Sequence, residues 1–106
     1  MDKITEARYM NIFEYFRFDR NMSRGAIIII DSFRSDEDIK TREDLEKLVS
    51  NPRVIDRLVN ERVLRINWIN GDVNKQTPYR LNRYVLDSLL DTADKVSNGD
   101  QFLLDK

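Results

Sequence analysis

The apolar period of this chain changes at Val63, and that change limits the fold more tightly than any other feature. Between residues 41 and 59, apolar side chains recur at helical spacing. Leu45, Leu48 and Val49 fall at i, i+3 and i+4, and Ile55, Leu58 and Val59 repeat the interval, as a one-sided helix requires. Beyond Val63 the period becomes two: Leu64, Ile66 and Trp68 alternate with Arg65, Asn67 and Ile69, the pattern of a half-buried strand. Thr41 suits a helix N-cap, and Glu43 and Asp44 follow it at the positive end of the helix dipole. Ser50-Asn51-Pro52 stops this helix and starts the next, with Asn51 a candidate cap and Pro52 suited to the first helical position. Asn70-Gly71-Asp72 is turn chemistry, and Tyr79 and Leu81 then alternate with Arg80 and Asn82. The prediction is a short helix, a tight turn, a second helix and a two-stranded hairpin over residues 41–82.

The run TREDLEKLVS-NPRVIDRLVNERVLRI, with YRLN on the returning strand, resembles the second helix, recognition helix and wing of winged helix-turn-helix DNA-binding proteins. Residues 24–35 would serve as that family's first helix. The resemblance implies an α+β, mainly helical fold: a winged helix-turn-helix with extra N- and C-terminal helices. Residues 1–106 would form one domain, with an N-terminal helix in 1–22, the winged core in 24–82, and a C-terminal helix and tail in 83–106. One departure is Arg62, where many members have Gly. Arginine is disfavoured in a left-handed helix ending, so a different ending, and a different wing angle, are expected.

The flanks carry their own patterns. Residues 3–18 read as a helix with Ile4, Ala7, Met10 and Phe13 along one face, widened by Tyr9, Ile12 and Phe16. That stripe is broader than a surface helix needs, and serves either the core or a subunit contact. Residues 19–23 read as a polar connection. The four isoleucines of residues 27–30 favour a strand by propensity; the winged pattern favours a helix over 24–35. Residues 83–97 form a helix that Asn82 can cap, with Leu86, Leu89, Leu90 and Ala93 on one face. Asn98-Gly99 is a helix stop. Phe102-Leu103-Leu104 is an apolar tail whose burial would be worth about 1.5–3 kcal/mol per large side chain.

The chain has no cysteine and no histidine. Disulfides, thiol nucleophiles, Ser-His triads and His or Cys metal sites are therefore excluded. Asp36-Glu37-Asp38 lacks the spacing of a calcium loop and reads as solvated charge. With no catalytic, metal or cofactor constellation, the expectation is a binding protein and not an enzyme. No run approaches the length of a membrane span, and the N-terminus lacks the pattern of a signal peptide, so no membrane association and a cytoplasmic location are expected.

Charge is polarised along the chain. Residues 31–46 carry net −4, residues 51–85 net +4, and residues 86–106 net −3. A basic block between acidic ones orients anionic partners. Arg53, Arg57 and Asn60, with Asp56, lie off the apolar face of the second helix and are the candidate major-groove readers, since Arg suits guanine, Asn adenine and Asp cytosine. On the hairpin, Arg65, Asn67, Arg80 and Asn82 occupy the strands, and Asn74, Lys75 and Gln76 sit near the tip, where they could read a minor groove. The expected partner is double-stranded DNA, bound by a homodimer built through the terminal helices. The chain would act as a small transcription regulator, or as a plasmid or phage accessory factor marking a replication, partition or transfer site within a larger nucleoprotein complex. The alternative is a protein-interaction module on the same scaffold.

Overall fold

Two helix endings shape this fold, and arginine closes both. The computed structural model describes residues 1–68 and 70–97. Helix α1 spans Lys3–Tyr15, with Asp2 accepting from the Thr5 N–H at 2.8 Å. It stops short of the expected residue 18 because Arg17 adopts φ +64°. The Arg17 N–H then donates to Glu14 O, and the Phe18 N–H to Phe13 O at 2.9 Å. This paired-bond ending normally places Gly at the left-handed residue. It returns the chain so that the buried rings of Phe13 and Phe18 stack 5.2 Å apart.

The turn leads directly into α2, Arg20–Ser32. Asp19 caps it, accepting from the Met22 N–H at 2.8 Å. Residues 19–23 are thus the cap and first turn of a helix, not a connection, and the helical alternative holds for the isoleucine run. Ala26, Ile27, Ile29 and Ile30 are buried, while Ile28 faces water. Tertiary packing overrides β propensity here. Gly25 sits where α2 crosses the residues after α3: a Cβ there would lie 3.3 Å from Val49 Cγ1.

A two-residue strand, β1 (Lys40–Thr41), follows, and periodicity gave no sign of it. Helix α3, Arg42–Glu46, is shorter than expected. Thr41 and Asp44 form a reciprocal capping box, each side chain accepting from the other's backbone N–H. Leu45 is buried, but Leu48 lies beyond the helix and is exposed. Helix α4, Arg53–Asn60, buries Val54, Ile55 and Leu58. Asn51 accepts from the Arg53 N–H at 3.1 Å, and Pro52 precedes the helix instead of beginning it.

The end of α4 repeats the end of α1. Arg62 has φ +64°, its N–H donates to Val59 O, and the Val63 N–H to Leu58 O at 2.9 Å. Leu58 and Val63 are both fully buried. The expectation of a different ending is therefore corrected: Arg62 takes the conformation usually left to Gly, because burial of Leu58 and Val63 and two backbone bonds outweigh its steric cost.

Strands β2 (Leu64–Ile66) and β3 (Pro78–Leu81) complete a three-stranded antiparallel sheet of order β1-β3-β2. The register pairs Leu64 with Leu81, Arg65 with Arg80 and Ile66 with Tyr79. Pairing stops at Ile66, so Trp68 does not reach the core and is 62% exposed. Helix α5 spans Arg83–Ser97; Asn82 accepts from the Val85 N–H at 3.3 Å. Leu86 and Ala93 are buried, with Leu89 and Leu90 packed at the core edge. Helix α5 lies on α1, tied by Arg8 to Asp94 at 2.6 Å. On α1 the buried residues are Tyr9, Ile12 and Phe13, whereas Ile4 is 76% exposed and Ala7 also faces water. The expected stop at Asn98-Gly99 and the apolar tail Phe102-Leu103-Leu104 lie outside the described residues.

An L-residue in the left-handed region costs roughly 1 kcal/mol relative to Gly. Arg62→Gly is therefore expected to raise stability by up to about 1 kcal/mol, offset in part by the greater freedom of unfolded Gly. Urea denaturation would show this as a higher midpoint at unchanged slope.

Candidate nucleic-acid interface

Helix α4 presents its polar side unevenly. Arg53 and Asn60 are exposed. Arg57 is engaged elsewhere: its guanidinium lies 4.5 Å from the Phe18 ring centroid and donates to Phe16 O at 3.0 Å. Asp56 is exposed yet committed, since Arg42 grips it with two bonds, Nη1 to Oδ1 at 2.9 Å and Nη2 to Oδ2 at 3.3 Å. The same guanidinium donates Nε–H to Glu46 at 2.8 Å and Nη1–H to the buried Tyr79 hydroxyl at 3.0 Å. Hydrogen bonding to Asp56, foremost, raises the Arg42 pKa above the ordinary arginine value despite partial burial. Arg42 thereby joins α3, α4 and the central strand. Sequence reading passed over it because it falls inside the acidic block.

The hairpin register brings Arg65 and Arg80 side by side. Partners across antiparallel strands share a face, so both lie opposite the side that buries Leu64, Tyr79 and Leu81. Two like charges at directly paired positions repel. Arg65 is exposed. Arg80 donates to Asp36 O at 3.0 Å and makes a long contact of 3.5 Å with Asn67 Oδ1. Arg83 donates to Asp36 Oδ1 at 2.9 Å, and this bond holds its guanidinium above the usual pKa. The loop carrying Asp36 is thus fastened to the base of the hairpin, through a contact between residues 47 apart that sequence could not show.

The tip is held by its own amides. Asn74 Oδ1 accepts from the Gln76 N–H at 2.8 Å, and Thr77 Oγ1 from the Asn74 N–H at 2.9 Å. Asn74 Nδ2 donates to Asp72 O at 3.3 Å. The Asn74 side chain is therefore spent on the turn, while Lys75 and Gln76 are exposed. Glu43 and Arg42 donate their backbone N–H groups to Lys75 O and Thr77 O, fastening the tip region to the start of α3. Asn82 is likewise occupied as the cap of α5.

Of the ten residues named as DNA contacts, the fold gathers Arg65, Asn67 and Arg80 on one hairpin face. It leaves Lys75 and Gln76 at the tip and Arg53 and Asn60 on α4, and gives Arg57, Asn74 and Asn82 structural bonds. Of the seven cations between residues 51 and 85, Arg83 is the one that ion-pairs among the described residues. The described residues also hold no His, Cys, Asp and Glu grouping fit for a metal ion, and no helix long and apolar enough to cross a membrane.

Arg42→Ala removes four charge-assisted bonds at a site only 13% exposed. The expected loss is about 1–2 kcal/mol, reduced because Asp56 remains solvated. Arg42→Lys should recover less than half of it, since an ammonium cannot reproduce the forked grip; thermal denaturation of the two variants measures both effects.

Comparison with known proteins supplies no relative: no family model, no curated protein and no solved structure matches this chain.

Proposed function

We propose that this chain is a sequence-specific double-stranded DNA-binding protein of the winged helix-turn-helix type. The order α2-β1-α3-α4-β2-β3, with β3 central in the sheet, supports the type. In this reading α3 and α4 are the helix pair and β2–β3 the wing. The observation that carries the binding function is the Arg65–Arg80 pair: two guanidinium groups held at paired positions, with no carboxylate within ion-pair distance among the described residues. Such a pair is unfavourable alone and is relieved by an anion. Duplex phosphates supply one, and released counterions drive the association. Arg53, Arg62 and Lys75 are exposed as well, and Arg53 and Asn60 are the side chains of α4 left to read base edges.

The protein acts as a homodimer in this reading, since one module covers a short site. Exposed Ile4 on α1 and Tyr84 on α5, 76% and 82% accessible, support a contact through the terminal helices. Its role is that of a small regulator of transcription, or of an accessory factor that marks a replication, partition or transfer site for a larger assembly.

Binding to a duplex should weaken steeply with salt, by about 0.9 log unit per log unit of salt for each phosphate contact. Replacing both Arg65 and Arg80 with Ala should reduce affinity about tenfold at moderate salt and flatten that slope by about 2, with the circular dichroism spectrum unchanged. An affinity indifferent to salt would instead favour a protein partner. Ile4→Glu should shift the sedimentation mass from dimer to monomer at micromolar concentration.

A further inference from the structure

The one tryptophan of the chain stands in water at the far end of the hairpin. Leu64, Ile66 and Trp68 follow the same strand parity, yet the first is buried, the second partly buried and the third 62% exposed. Indoles are favoured where a large flat surface is to be covered, and no described residue covers this one fully. Trp68 instead forms the wall of a shallow cleft of about 110 Å³, with Asn70, Asp72, Gln76, Thr77 and Pro78 around it.

The chemistry of this cleft differs from that of the hairpin's base. The base carries Arg62, Arg65, Arg80 and Arg83; the tip carries Lys75 alone against Asp72. A carboxylate repels phosphate but accepts from the amino groups of bases, and the Gln76 and Asn70 amides match base edges. An exposed indole stacks on any base because every base has a π-face. In an unbroken duplex those faces are covered by neighbours, so one becomes available only where a base is unpaired or extruded.

We propose that Trp68 is a base-stacking residue, and that the hairpin tip takes an unpaired nucleobase of an otherwise double-stranded DNA against the indole face. This rests on the duplex-binding reading above and adds the class of DNA preferred: a duplex interrupted by an unpaired base.

Two duplexes of one sequence, identical except for a single-base bulge in one, provide the test. Indole emission of the wild-type protein should be quenched on binding the bulged duplex, which should bind about tenfold more tightly than the intact one, as stacking on one base allows. Trp68→Ala, followed by fluorescence anisotropy of labelled DNA, should bring the ratio of the two affinities close to one; Trp68→Phe should keep part of it. Equal wild-type affinities, or a preference that survives Trp68→Ala, overturn the inference while salt-dependent binding to the intact duplex leaves the DNA-binding reading standing. Failure to bind either duplex overturns both. An emission maximum already shifted to the blue and dependent on protein concentration also overturns it, because the indole would then be buried between copies of the chain.

Discussion

Arg42 is the point through which the helices and the sheet hold one another. Its backbone N–H bonds Thr77 beside β3, and its side chain reaches Glu46 on α3, Asp56 on α4 and Tyr79 at the centre of the sheet. The planar guanidinium serves these three acceptors from fixed donors, one of them through a two-bond fork that an ammonium lacks. The arrangement also settles the charge on α4. Asp56 would otherwise set a carboxylate beside Arg53 and Asn60 on the helix surface; tied to Arg42, it leaves that surface less repulsive to phosphate. A residue that touches no DNA in the proposed reading thereby adjusts the field in which the α4 side chains work.

The same economy appears at the helix ends. Arg17 and Arg62 both occupy left-handed backbone where Gly would be unstrained. In each case the turn is flanked by buried apolar residues, Phe13 and Phe18 in one and Leu58 and Val63 in the other, and two backbone bonds close it. Keeping arginine at these places costs stability but preserves positive charge at exposed corners of the molecule. At position 62 that charge adjoins Arg65 across a groove floored by Val59, Leu64 and Ile66, so backbone strain and surface charge occur at one corner.

Asp36 limits the charge of the hairpin base from the other side. Its carboxylate takes Arg83 and its carbonyl takes Arg80, which fastens the loop between α2 and β1 to the sheet. Arg65, directly across from Arg80, is left without such a partner among the described residues. The hairpin therefore divides into a braced flank, an open cationic strand and a tip of amides and indole, three surfaces of distinct chemistry within about 20 residues.

Much of the scaffold was legible in residue order. Helix α5 and its Asn82 cap, the Thr41 cap of α3, the apolar face of α4 and the alternation of β2 and β3 follow from local rules, since capping and side-chain period act over three or four residues. What remained hidden was decided by contacts distant in sequence. Propensity left the isoleucine run open between strand and helix; burial between α1 and α4 resolved it. Nothing local announced β1, whose two residues are a strand only because β3 lies beside them. The same holds for the candidate site. Arginines and amides could be counted from composition, but their freedom could not, because Arg57 is captured by an aromatic ring from the turn between α1 and α2, Arg83 by a loop acid, and Asn74 by its own turn. Residue types and their spacing specify which side chains exist; which of them remain available to a partner depends on how the folded chain spends its hydrogen bonds and buried surface.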